Sequence, residues 1–232
     1  MTSHRVVSPQ EWLAARRQLL DKEKAFTRLR DELSRERREL PWERVEKSYT
    51  FEGPNGRESL ADLFAGRSQL IVYHFMYGAE AEAPCKACSF WADNFNAIIP
   101  HLNQRDVSMV AVSRAALPKL QAFRQRLGWS FKWLSSGGTD FNYDYHVSFR
   151  PDQPGAQHNY GSKTDSMSDH AGVSVFFKNE SGSIFHTYSC YARGLDMLNT
   201  AYHYLDLVPK GRDEADLPYT VAWLNYRDRY GT

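Results

Sequence analysis

The chain has 232 residues, of which 42% are hydrophobic and 25% charged, ordinary values for a globular protein able to bury a full core. The net charge of +1 offers no field for nucleic acid or an anionic membrane. No apolar run approaches the ~20 residues that span a bilayer, and the longest candidate, Leu70 to Met76, contains His74.

The N-terminus shows no basic-then-apolar secretory pattern, and a cytoplasmic location is the default expectation. Three cysteines, Cys85, Cys88 and Cys190, are too few for a disulfide scaffold. In a reducing compartment a close pair reads as catalytic or metal-binding sooner than as a permanent cross-link.

Residues 1–41 read as a helical extension. Ser8-Pro9-Gln10-Glu11 is a capping box with proline at the first helical position. Trp12, Leu19, Phe26, Leu33 and Leu40 recur every seven residues, and Pro41 ends the pattern. The companion positions Ala15, Lys22, Leu29 and Glu36 are only half apolar, so the helix is expected against its own domain or a sister subunit, as in a homodimer.

Tyr49-Thr50-Phe51 and Gly53-Pro54-Asn55-Gly56 read as a strand and turn. Ser59 to Gly66 is a short helical turn, and Gln69 to Met76 a buried strand. A loop, Tyr77 to Pro84, leads to Cys85-Lys86-Ala87-Cys88. Cys88, Trp91, Ala92, Phe95, Ile98, Ile99 and Leu102 then share one face at helical spacing, with a kink expected at Pro100. A strand over Asp106–Ser113, a helix over Leu117–Leu127 stopped by Gly128, and a strand over Ser130–Leu134 follow.

Residues 135–170 are rich in Gly, Pro, Ser, Asp, Asn and Tyr and read as a long irregular insertion. Val173–Lys178 and Ser183–Tyr188 form a hairpin, Leu195 to Leu205 a last helix, and residues 212–232 a charged tail. Strands alternating with helices imply a parallel sheet, to which the hairpin adds an antiparallel edge. Cys-x-x-Cys after a buried strand and opening a helix is the thioredoxin arrangement. The expectation is an α/β, thioredoxin-like domain over residues 42–211.

The stretch from Tyr49 through Tyr77 resembles the lead-in of peroxiredoxin-type and cytochrome-maturation thioredoxins. Tyr73-His74-Phe75-Met76-Tyr77-Gly78, Cys88-Ser89-Phe90-Trp91-Ala92-Asp93-Asn94-Phe95-Asn96 and Phe185-His186-Thr187-Tyr188-Ser189 with Tyr191-Ala192-Arg193-Gly194 resemble an uncharacterised bacterial family, domain of unknown function 899. The resemblance covers nearly the whole chain. It implies a thioredoxin-like fold and no established activity.

The chemistry therefore rests on the residues. Cys85, at the amino end of the helix, is favoured as a thiolate by unpaired N–H groups, with Lys86 adding positive charge. It is the expected nucleophile. Cys88, one turn on and facing inward beside Trp91, is the expected resolving thiol. The primary reading is a thiol–disulfide oxidoreductase, with a thiol or disulfide substrate and an unidentified electron donor as partners. The competing readings are a non-catalytic thioredoxin-fold binding protein and a peroxiredoxin-like peroxide reductase.

Zinc would need two more ligands, and no second Cys-x-x-Cys or His-x₃-His pair exists, so neither metal nor cofactor is expected. Glu82 stands where peroxiredoxins carry threonine, which argues against that peroxidase chemistry. Thioredoxins carry a cis-proline before the hairpin. This chain has His170-Ala171-Gly172 there, which leaves a trans bond or a different mode of substrate docking. That same His170 is an accessory candidate near Cys85. His74, His186 and Cys190 read as structural.

Overall fold

The computed structural model describes residues 4–151 and 155–231. Pro154 of the insertion, and residues 1–3 and 232 at the ends of the extension and tail, lie outside them. The chain divides into two compact units, Met1–Pro41 and Trp42–Thr232. The first holds a 31-residue helix, α1 (Pro9–Glu39), begun by the capping box: Ser8 Oγ accepts the Glu11 N–H and Glu11 accepts the Ser8 N–H at 3.0 Å. No described helix is long and apolar enough to cross a membrane.

The second unit is built on one sheet. Its strands are β1 (Glu43–Arg44), β2 (Thr50–Gly53), β3 (Gly56–Ser59), β4 (Gln69–His74), β5 (Val107–Ser113), β6 (Trp133–Ser135), then β9 (Gly172–Lys178) and β10 (Ile184–Tyr191). Within the insertion, β7 (Gln157–His158) and β8 (Gly161–Ser162) pair only with each other. The helices are α2 (Lys86–Ala92), α3 (Phe95–Asn103), α4 (Leu117–Arg126), α5 (Phe141–Asp144) and α6 (Thr200–Leu205).

The sheet order is β1-β10-β9-β4-β5-β6-β2-β3. Strand β4 runs parallel to β5 and β5 to β6, while β9 lies antiparallel to β4 and β10 to β9. A strand that feeds the cysteine helices, flanked by a parallel strand from the crossover and an antiparallel strand from the hairpin, is the thioredoxin-like arrangement.

The period-two alternation of β4 splits the core. Tyr73 and Phe75 join the cluster that also holds Cys88, Trp91, Phe95, Phe123, Trp129 and Trp133. Leu70 and Val72 join Phe51, Phe64, Phe141, Tyr145 and Phe176 on the other face.

Three segments differ from the sequence expectation. The predicted helix from Cys88 to Leu102 is two helices, parted at Asp93–Asn94, with Pro100 inside α3. Asn94 Nδ2 donates to the carbonyls of Phe90 and Trp91 at 3.4 and 3.3 Å, a side-chain substitute for helical bonding. Asp93 turns outward to accept the Trp129 indole N–H at 2.8 Å. The last helix is likewise a 3₁₀ segment, Ala192–Leu198, followed by α6, with Asn199 capping the Tyr202 N–H at 3.1 Å. The insertion is only partly irregular, because it contains α5 and the β7–β8 pair.

His74 continues the Leu70–Val72 face into an aromatic setting, its ring stacked on Phe141 at 5.4 Å. Its Nε2 meets Ser174 Oγ at 2.9 Å, Ser174 Oγ meets Ser189 Oγ at 2.9 Å, and His186 Nε2 meets Ser189 Oγ at 2.8 Å. His74 and His186 are thus hydrogen-bonded sheet residues, as the sequence indicates. Burial first, and the nearby His186 second, hold the His74 pKa down to about 3.

Folded His74 stays neutral where an unfolded histidine takes up a proton, so its stabilising contribution is present above about pH 6.5 and is lost as pH falls toward 3. The expected loss from this group between pH 6.5 and 5 is roughly 2 kcal/mol. Urea unfolding at pH 7 and pH 5 measures it. In His74→Gln the decline shrinks by about that amount, and an unchanged decline contradicts the assignment.

Candidate active site

The site begins where β4 ends. The Phe75 N–H donates to the Val112 carbonyl at 2.9 Å, extending the ladder one residue past the strand. At Met76 the bonding partner changes. Its carbonyl accepts the Cys85 N–H at 3.0 Å, and its N–H donates to Cys88 Sγ at 3.4 Å. The intervening loop is anchored by Ala115 N–H to the Tyr77 carbonyl at 2.8 Å and by Lys119 Nζ to the carbonyls of Ala79 and Ala81.

Gly78 occupies a tight place on this path. A Cβ there would lie 3.0 Å from Asp169 Oδ2, an oxygen held by Arg114 at 2.8 Å. On the other side, the Tyr226 hydroxyl donates to the Pro84 carbonyl at 2.6 Å.

Cys85 is the N-cap of α2, with extended backbone (φ −62°, ψ 129°), and its Sγ accepts the Cys88 N–H at 3.4 Å. It is half-buried, whereas Cys88 is 2% exposed. Both are thiols in this structure. Their ionisation separates accordingly. The Cys85 pKa falls to about 7, chiefly through the hydrogen bond from the Cys88 thiol; burial opposes this, and the N–H groups of Cys88 and Ala87 reinforce it. Burial, then the bond to Cys85 and its charge, push the Cys88 thiol well up, against the pull of the Met76 N–H and the Tyr73 hydroxyl. One sulfur is therefore biased toward the thiolate and the other toward the thiol.

Cys85 and Cys88 line a cavity of about 380 Å³ with Tyr73 and Trp91. The Trp91 indole N–H is bonded to the Leu195 carbonyl at 2.8 Å. His170 also lines it, as the sequence proposed, together with His158, which sequence reasoning missed. The two imidazoles stack at 4.1 Å with 22° between planes. His158 Nδ1 donates to the His146 carbonyl at 3.0 Å, and His170 Nε2 pairs with Asp165 Oδ1 at 3.1 Å. Burial, then His158, lower the His170 pKa. His170, Ala171 and Gly172 are joined by trans bonds. Lys86 and Glu82 are exposed and line neither this cavity nor the groove of about 730 Å³ that meets Cys85 beside Arg114 and Asp169.

The far wall of the cavity comes from residues read only as a charged tail. Glu214 Oε1 accepts the Tyr202 hydroxyl at 2.7 Å, the Trp223 indole at 2.8 Å and the Val221 N–H at 3.0 Å. Arg212 lies over the Tyr202 ring at 4.0 Å. The clustering of Arg212, Glu214 and Trp223 after a proline-glycine stop was the available signal. Among the described residues no group of three metal-binding side chains is assembled.

A family model for a bacterial protein of unknown function, DUF899, matches residues 1–230. The chain belongs to that family. No curated protein matches it. Among solved structures it is similar to PrxQ of Xylella fastidiosa, in a cysteine-to-serine mutant, at 14% identity and TM-score 0.43, over 67% of this chain and 89% of that one. It is similar to the peroxidoxin BcpB of Mycobacterium tuberculosis at 12% identity and TM-score 0.46, over 68% and 93%. A yeast mitochondrial 1-Cys peroxiredoxin matches at 14% identity and TM-score 0.45, over 72% and 78%.

Because the Cys88 thiol is the first cause of the low Cys85 pKa, Cys88→Ala raises it from about 7 toward the free value of ~8.5. The pH dependence of Cys85 alkylation by iodoacetamide, followed by mass spectrometry, gives the midpoint. An unshifted midpoint contradicts the thiol-to-thiolate bond.

Proposed function

We propose that this protein is a thiol–disulfide oxidoreductase in which Cys85 attacks and Cys88 resolves. The observation that carries this reading is the separation of the two sulfurs: a half-buried one stabilised as thiolate, and a buried one that keeps its proton one turn away. The Cys85 thiolate attacks one sulfur of a substrate disulfide, a mixed disulfide forms, and the other substrate sulfur leaves and takes a proton. Cys88 then loses its proton and attacks Cys85 Sγ. The Cys85–Cys88 disulfide closes and the second substrate thiol departs.

The chain's own groups assist each step. N–H groups of Ala87 and Cys88 hold the first thiolate. The Met76 N–H, with the Tyr73 hydroxyl, stabilises the Cys88 thiolate as it forms. An external dithiol must return the two electrons, and a reducing cytoplasm is the compartment this cycle suits.

Single-turnover reduction of 2-hydroxyethyl disulfide by the pre-reduced protein tests the reading. The wild type is expected to release two thiols per protein and form the internal disulfide. Cys85→Ser loses at least a thousandfold in rate, and Cys88→Ser stops at a mixed disulfide visible by mass. Hydrogen peroxide consumption run in parallel separates the peroxide-reductase alternative. Undiminished reduction by Cys85→Ser would falsify the assignment.

A further inference from the structure

Resting on the dithiol reading, the cavity beside Cys85 identifies the class of substrate. Its volume, about 380 Å³, falls in the range of small-molecule sites. Cys85 and Tyr73 form one side. The other side is assembled from three separate stretches: His158 to Ala171, Ala192 to Asp196, and Arg212 to Val221.

The charges on that wall are consumed internally. Arg212 is bidentate to Asp206, at 2.8 and 2.9 Å, and also bonds Asp196 at 2.9 Å. Asp196 further accepts Arg193 Nε at 2.8 Å. Glu214 accepts three donors with one oxygen. Arg212, Asp196 and Glu214 thus hold one another within the wall, and Arg193, paired to Asp196 through Nε, has a side chain that is 80% exposed.

Met76, Trp91, Ala171, Leu195 and Val221 supply the apolar part of the lining, which they share with Tyr73 and the two histidines. The wall also carries strain. Ala192 (φ 48°) and Val221 (φ 67°) hold left-handed backbone, costly for a β-branched residue, and the Glu214 bond to the Val221 N–H keeps the latter in place.

We propose that this cavity binds low-molecular-weight, uncharged disulfides with aliphatic substituents, which reach Cys85 with their apolar ends against Trp91, Ala171 and Leu195. The substrate is reduced to two thiols while Cys85 and Cys88 become one disulfide. Two electrons pass from protein to substrate, and the two protons released by the cysteines balance those taken up by the leaving thiolates. No other reductant enters the single turnover.

Each methylene moved from water into such a site is worth roughly fourfold in binding. The test compares single-turnover rates of the pre-reduced protein with dipropyl disulfide, dithiodiglycolate and cystamine. Each rate is normalised to that of the same probe with free 2-mercaptoethanol. The expected normalised rate for dipropyl disulfide exceeds both charged probes by at least tenfold.

Two variants narrow the cavity, Ala171→Leu within its wall and Thr220→Trp at an exposed position of its lining. Each is expected to reduce the dipropyl rate about tenfold while iodoacetamide alkylation of Cys85 changes less than threefold, so a misfolded variant is recognised. Equal normalised rates for the three probes, or two well-folded variants that leave the dipropyl rate unchanged, overturn the cavity assignment and leave the dithiol reading standing. Failure of the wild type to reduce any disulfide removes the dithiol reading itself, and this one with it.

Discussion

The backbone of a single residue holds both cysteines. The carbonyl of Met76 accepts the Cys85 N–H, and its N–H points at Cys88 Sγ. Met76 cannot drift, because β4 is hydrogen-bonded in register to β5 on one side and β9 on the other for its whole length. The sheet therefore sets the distance between the sulfurs indirectly, through the strand that delivers the chain to them. The same arrangement separates their chemistry: Cys85 stands at the helix cap facing the cavity, while Cys88, one turn further, is drawn into the core beside Tyr73. A thiol next to a stabilised thiolate is the direct outcome, with no charged side chain required. Lys86, for all its proximity in sequence, faces solvent.

The rest of the second unit shapes the space in front of that pair. Arg212 and Glu214 act as braces: each binds groups from separate turns and so fixes a stretch that has almost no regular secondary structure. Their bonds are short and ionic or charge-assisted, the strongest kind available to a loop. Tyr226 then ties this segment to Pro84, the residue before Cys85. From the opposite direction the insertion brings its stacked histidines to the same cavity. The protein thus surrounds its dithiol with loops and reserves its sheet for placement.

Across the sheet, the line His74, Ser174, Ser189, His186 is polar matter inside an aromatic core. The two links that cross between strands, His74–Ser174 and Ser174–Ser189, favour one register, since a one-residue slip of β9 would break both. That is the physical reason to keep a histidine whose neutral form is enforced by burial. It also makes β9 and β10 dependent on β4, the strand on which the cysteines hang.

Much of this was legible in the residues alone. The apolar run from Leu70 to Met76, the Cys-x-x-Cys and the apolar spacing of Trp91 and Phe95 are local patterns, and local patterns report strands, helices and their buried faces. They placed Cys85 as a cap and Cys88 inward, and the structure puts them there. The helix break at Asp93–Asn94 was not legible, because Asn94 side-chain bonding and the Trp129 partner of Asp93 compete with a periodicity that runs straight through. His158, Glu214 and Tyr226 carry no periodicity. Their neighbours in space lie 12 to 142 residues away in sequence, on Tyr202, Tyr191 and Pro84. The sequence by itself thus determined the dithiol and the strand–helix junction that presents it, since both arise from interactions within a few residues. Only the tertiary structure decided what the dithiol faces, since that wall is made by loops whose positions depend on long-range hydrogen bonds and ion pairs.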